Sequence, residues 1–164
     1  VTADINGMII ISSLKFAPRS FVLLHQSLIN INLNRFINCL LVLAQNILIA
    51  SNNVLLLLDL QGAIIGEETF FAKITHMLML PKKILVIACE DCTVHFCKIR
   101  ISEERSSLLS RILELRTNTS ITSLTCDPLG RLVTGEADGS VNVWFEKSDA
   151  RQVAKDYKDT QNCS

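Results

Sequence analysis

The chain has 164 residues, 49 per cent of them hydrophobic and 20 per cent charged, enough for one ordinary domain with a sizeable core. Sixteen basic and sixteen acidic side chains cancel, seven against six in residues 1–99 and nine against ten in residues 100–164. Neither part carries the basic surface that nucleic acid requires, which argues against such a partner.

The chain opens on Val1, as an excerpt or processed fragment would, and its first residues lack the basic start and cleavage pattern of a signal peptide. "TADINGMIIISSL" places a turn at Asn6-Gly7 ahead of Ile9 and Ile11. In "FVLLHQSLININLN", Ile29, Ile31 and Leu33 alternate with Asn30, Asn32 and Asn34, the pattern of a strand with one wet face. The most apolar stretch, "INCLLVLAQNILIASNNVLLLLDL", is broken by Gln45, Asn46, Ser51, Asn52 and Asn53. A membrane helix needs about 20 apolar residues in a row. The breaks fall where turns belong, so buried strands are expected and no membrane insertion.

Further on, "ITHMLMLPKKILVIACED" predicts two strands around Pro81-Lys82-Lys83, followed by a strand in "CTVHFC". "EERSSLLSRILEL" admits a helix, but its β-rich surroundings and the missing cap favour a strand. "ITSLTCDPLGRLVTGEAD" repeats the earlier strand pair around Asp127-Pro128-Leu129-Gly130, and "TGEADGSVNVWFE" closes with Asp138-Gly139, Val141, Val143 and Trp144.

These pieces are one unit used several times. The matching turn positions are Gly7, Asn53, Cys92 and Gly139, separated by 46, 39 and 47 residues. Each unit reads strand, turn, strand, turn, strand, with a more variable fourth strand. The inner segments are apolar on both faces, so sheets are expected to pack between sheets. A period of about 40–45 residues with four strands marks a β-propeller blade. The predicted architecture is all-β: four-stranded antiparallel blades in an incomplete ring. A single partial propeller domain covers 1–164, with a half blade at 1–34 and blades near 35–73, 74–120 and 121–164.

"DPLGRLVTGEADGSVNVWFE" resembles the WD-repeat family, whose blades run through a Pro-x-Gly turn, a small-residue strand, Asp-Gly and a terminal Trp-Asp. The resemblance implies that Asp138 is the turn aspartate beside Gly139, Thr134 the hydroxyl of the second strand and Trp144 the blade tryptophan. It also implies a bonded network from that aspartate to a histidine ahead of the first strand, then to the hydroxyl and the tryptophan. No Gly-His precedes "ITSL"; Thr117, Asn118 and Thr119 stand there. The tryptophan position is Ser12, Leu58 and Cys97 in the other units, and only Leu58-Asp59 keeps the aspartate.

Six cysteines at uneven spacing point to reduced thiols. The triplets at 118–120 and 162–164 that fit the glycosylation pattern are read as chance. Cys89, Cys92, His95 and Cys97 put soft ligands within nine residues, the basis of an alternative reading as a metal-stabilised or redox module. One hairpin cannot bring four ligands round an ion, so buried structural thiols are expected, with no metal and no cofactor. His25 and His76 have no nucleophile or carboxylate placed for a triad, and no phosphate loop or paired carboxylate is present, so no enzyme is expected.

The family resemblance implies a noncatalytic scaffold for protein–protein interaction, an assembly platform in a cytoplasmic or nuclear complex. On such a disc the second-to-third-strand turns and the loops entering each first strand share a face. Here that face would hold Asn52, Asn53, Lys73, His76, Glu90, Asp91, Glu136, Asp138, Asn118 and Thr119. The incomplete ring predicts further blades, in cis or from a partner chain.

Overall fold

The computed structural model describes residues 2–3, 8–10, 15–17, 20–22, 31–32, 35–100 and 108–144. Among them all regular structure is β, apart from one 3-10 turn at Pro81–Lys83. Near the N-terminus β1 (Thr2–Ala3), β2 (Met8–Ile10) and β5 (Ile31–Asn32) form one antiparallel sheet. Between β2 and β5 the chain makes a separate hairpin, β3 (Lys15–Ala17) with β4 (Ser20–Val22), which the repeat pattern did not announce. The expected turn at Asn6-Gly7 lies outside the described residues, but the strands flanking it pair, Thr2 with Ile10 and Ala3 with Ile9.

Three sheets follow, each a meander of neighbouring antiparallel strands. The first holds β6 (Cys39–Val42), β7 (Asn46–Ser51), β8 (Val54–Asp59) and β9 (Ile64–Thr69). The second holds β10 (Ile74–Leu80), β11 (Ile84–Cys89), β12 (Thr93–Ile99) and β13 (Leu109–Arg116). The third holds β14 (Ile121–Cys126), β15 (Leu132–Glu136) and β16 (Val141–Trp144), and the fourth strand expected after Trp144 lies outside the described residues. The stretch that admitted a helix is extended over Leu109–Arg116.

The repeat reaches down to the irregularities. The register shifts between Leu57 and Leu58 in the first sheet and between Phe96 and Cys97 in the second, the same place in both units. It shifts between Ile74 and His76 and again between Ile121 and Ser123, where two successive first strands begin. Bulges add local twist, so shared bulges give the units a shared twist and let them stack.

Alternation explains the stacking. In β7, Leu48 and Ala50 face one side while Ile47 and Ile49 face the other, and all four are buried. Leu48, Ala50, Leu55 and Leu57 pack against Leu85, Ile87, Cys89 and Cys97 of the second sheet. Ile47, Ile49, Leu56 and Leu58 form a separate cluster on the first sheet's opposite face. The second sheet turns Val86, Ala88 and Val94 toward Ile121, Leu132 and Trp144 of the third. The third sheet breaks the series: beyond Trp144 and Leu132 its outer face carries Val141, 69 per cent exposed, and Val143, 42 per cent exposed. Among the described residues no further sheet covers that face.

Candidate interaction face

The turns β7–β8, β11–β12 and β15–β16 and the segments leading into β6, β10 and β14 all lie at one end of the sheets, because antiparallel meanders return every second connection to the same side. Backbone and side-chain bonds tie them into one surface. Asn38 Nδ2 donates to the carbonyls of Asn52 (3.3 Å) and Ile74 (2.9 Å), and Ile74 N–H also reaches Asn52. Asn53 Nδ2 donates to the Phe70 carbonyl at 2.9 Å. Glu90 N–H donates to the Lys73 carbonyl, Thr117 N–H to Cys92 and Ala137 N–H to Ser120. These bonds tie the turns and the segments leading into the first strands to one another within a sheet and from one sheet to the next.

Of the residues expected on this face, Asn52, Lys73, Glu90, Asp91, Asn118 and Asp138 are exposed there, and Asn53 is half-buried by its bond to Phe70. His76 is set back: it lies within β10, paired with Ala88 and half-buried. Thr93 holds Asp91 in place. Partial burial alone would raise the Asp91 carboxyl, but the bonds from Thr93 hydroxyl and N–H outweigh it and hold the group below its ordinary range. The hydroxyl and N–H of Ser140 do the same for Asp138.

The left-handed residue of the three turns is Asn52, Cys92 and Gly139, with φ of 55°, 66° and 85°. In the first turn it falls one residue ahead of Asn53, because Ser51 and Val54 already pair and two residues close the hairpin. The second and third turns share another form: Cys92 N–H reaches the Cys89 carbonyl as Gly139 N–H reaches Glu136. Cys92 thus occupies a glycine position. Cys92→Gly is expected to stabilise the chain by about 1 kcal/mol, the cost of a side chain in the left-handed region. Chemical denaturation measures it, and a loss of stability would show that the Cys92 side chain packs favourably.

Inside the last blade, Trp144 Nε1 donates to Thr134 Oγ1 at 3.0 Å. Asp138 accepts from Ser140 N–H at the surface. The bond to the segment ahead of the first strand is made by Glu136 instead: its carboxylate accepts from Thr119 N–H (3.3 Å) and hydroxyl (3.2 Å) and from Asn142. Glu136 points inward from β15 and is long enough to reach Thr119, whereas Asp138 is consumed by its own turn.

The cysteine-rich hairpin holds its soft atoms apart. Cys89 ends β11, Cys92 sits on the turn, and His95 and Cys97 are buried along β12. Among the described residues no group of three or more His, Cys, Asp or Glu could hold a metal ion, and five cysteines are free thiols. Burial, with the neighbouring Cys89 thiol adding to it, pushes Cys39 up to about 12; burial pushes Cys89 and Cys97 up to about 11. Such thiols are poor nucleophiles and poor ligands.

His95 lies in a chain of polar contacts: Asp91 to Thr93, Thr93 Oγ1 to His95 Nε2 at 3.2 Å, and Nδ1 facing Glu114 at 3.4 Å without a hydrogen bond. Phe70 tilts against its ring, and Arg111 lies over Phe70. Burial depresses its pKa, helped by Arg111 and opposed by Glu114 and Asp91. The unfolded chain therefore takes up the proton first. Stability is full above the unfolded histidine value of about 6.5 and is lost as pH falls from there through the lower folded value. His95→Gln should flatten the denaturation midpoint between about pH 7.5 and 5. An unchanged slope would assign the loss to other groups.

No family model matches the chain, and neither does any curated protein. Solved structures do. The chain is similar to the WD40 β-propeller domain of Doa1 with a TM-score of 0.56 and 24% identity, over 69% of this chain and 38% of that one. It is similar to the computationally designed Ika4 protein (0.55, 18% identity, 73% of this chain and 72% of that one). It is also similar to BBS1N in complex with ARL6DN (0.55, 16% identity, 76% of this chain and 37% of that one). The likeness is one of fold. The chain is a stack of antiparallel β-propeller blades, and the described residues do not close a ring.

Proposed function

We propose that the chain is a noncatalytic protein-interaction scaffold of the WD-repeat type, an assembly platform in an intracellular complex of the cytoplasm or nucleus. Its binding face is the one that carries the turns at 52–53, 90–92 and 137–139. The observation that supports this most is a pair of aromatic side chains. Phe71 is 98 per cent exposed and Phe36 65 per cent, and each stands three residues ahead of a first strand, Ile74 and Cys39. A propeller core has no use for phenylalanine in water, while interface hot spots are rich in aromatics set among polar groups. Asn52, Asn53, Lys73, Glu90, Asp91 and Asp138 supply that polar setting on a backbone already fixed by hydrogen bonds. Function lives in sites carried on a fold, and the exposed pair supplies such a site.

The open face at Val141 and Val143 supports a second part of the reading, that further blades, in cis or from a partner chain, cover the third sheet. No helix among the described residues is long and apolar enough to cross a membrane.

The test uses the whole chain as bait. Phe36→Ser with Phe71→Ser is expected to leave the unfolding free energy within about 0.5 kcal/mol, as exposed substitutions do, and to abolish capture of the bound protein. Undiminished capture would move the binding face elsewhere.

A further inference from the structure

The bonds across the turn face fix the order of its parts. Asn38 reaches Asn52 and Ile74, Glu90 reaches Lys73, Thr117 reaches Cys92 and Ala137 reaches Ser120. From one side to the other the face therefore runs through 35–38, 52–53, 71–74, 90–92, 117–120 and 137–139. Its charges are sorted along that line. Arg35 and Lys73 stand with Phe36 and Phe71 in the first half, and Glu90, Asp91 and Asp138 stand in the second, all of them exposed. Lys73 and Glu90 meet at the boundary, joined by a backbone bond of 2.8 Å.

Among the described residues neither Arg35 nor Lys73 makes an ion pair or a side-chain hydrogen bond. Asp91 accepts from Thr93 and Asp138 from Ser140, neutral donors that leave the negative charge uncancelled. One half of the face thus presents free cations between two aromatic rings, and the other presents carboxylates without aromatics.

Taking this surface as the binding face, as proposed above, we infer that it selects a charge-polarised segment of a partner protein. One end of that segment carries large apolar side chains and carboxylates, set over Phe36, Phe71, Arg35 and Lys73. The other end is basic and lies over Glu90, Asp91 and Asp138. Exposed aromatics beside unpaired cations fit apolar groups flanked by acids. A uniformly acidic or uniformly basic partner would meet like charge on half of the face, which opposes binding. A second copy turned face to face would match the charges but lay both phenylalanines over carboxylates. A polarised segment satisfies the charges and the rings together, and in one direction only.

The probe is acetyl-DELFDGSGKRK-amide, titrated into the full chain by calorimetry and followed through the backbone amide resonances of the face. Its control is acetyl-KRLFKGSGDED-amide, which has the same composition with the charges exchanged about the Leu-Phe pair. The first is expected to bind at least ~10-fold more tightly than the second, and salt should weaken it. A nitroxide at its acidic end should broaden the Phe36 and Phe71 amides, and one at its basic end those of Asp91 and Asp138. Arg35→Glu/Lys73→Glu breaks no contact described above and should erase the preference between the peptides. Phe36→Ser/Phe71→Ser should weaken both. No heat and no amide shift with either peptide would overturn the inference. Undiminished binding by the phenylalanine variant would overturn it together with the reading of the face. If that variant loses the peptides while wild type binds both equally, the face stands and its charge order selects nothing. Self-association lost in the charge-reversed variant would overturn the inference in favour of a second copy. Co-sedimentation with phosphatidylserine vesicles in place of peptide binding would overturn it in favour of a membrane surface.

Discussion

Leu55→Ala is expected to lower the unfolding free energy by about 3–4 kcal/mol, the middle of the range for a buried leucine that leaves a cavity. Leu55 is fully buried where the first and second sheets meet, and the surrounding Leu48, Leu57, Leu85 and Ile87 belong to two stiff sheets that cannot collapse into the gap. Its position recurs. Leu55, Val94 and Val141 each stand opposite a small residue, Ala50, Ala88 and Gly135. Val94 is closed in by the third sheet and Val141 faces outward. Val94→Ala should therefore cost about 1–2 kcal/mol and Val141→Ala less than about 0.5. Equal costs at Val94 and Val141 would mean that the outer face is covered in solution. A Val141 cost that grows with protein concentration would put a second copy on that face.

This ordering of costs follows from a repeat that the sequence displays at some positions and hides at others. Asp-Gly at 138–139 marks its turn directly, because only a small residue sits comfortably at φ 85°. Cys92 holds the same geometry with no sequence signal and is found only by counting from its neighbours. The doubly apolar strands around Leu48 and Ile87 announce sheets between sheets, since no strand with a solvated face would alternate so little. The β3–β4 hairpin interrupts the first unit and could not be read from a pattern it does not share. In the last blade, the family resemblance pointed to Asp138, yet Glu136 makes the long bond to Thr119; the choice rests on which carboxylate points inward, a matter of register rather than residue type. Phe71 was invisible for another reason. Beside Phe70 it reads as core, and only the turn out of β9 shows that one ring goes in and the next goes out.

Trp144→Ala is the second large effect, about 2–3 kcal/mol of lost stability, below the full range for a buried aromatic because the indole is half-buried. Two losses contribute. The ring packs beside Phe96, Leu124 and Leu132, and its removal widens the cleft between the second and third sheets. Its Nε1 also donates to the hydroxyl of Thr134, which is fully buried, so Thr134 would keep its burial and lose that donor. Trp144→Phe separates the two, since it keeps most of the packing and drops the bond, at about 1 kcal/mol. Thr134→Val removes the acceptor and should cost a similar amount. If the bond links them, the Trp144→Phe/Thr134→Val double variant costs clearly less than the sum of the singles, because the same interaction is lost in each. Denaturation followed by circular dichroism measures all four chains without the tryptophan signal. Full additivity would mean that the indole stabilises the blade by packing alone, and a wild-type emission maximum of a fully solvated indole would remove Trp144 from the blade junction altogether.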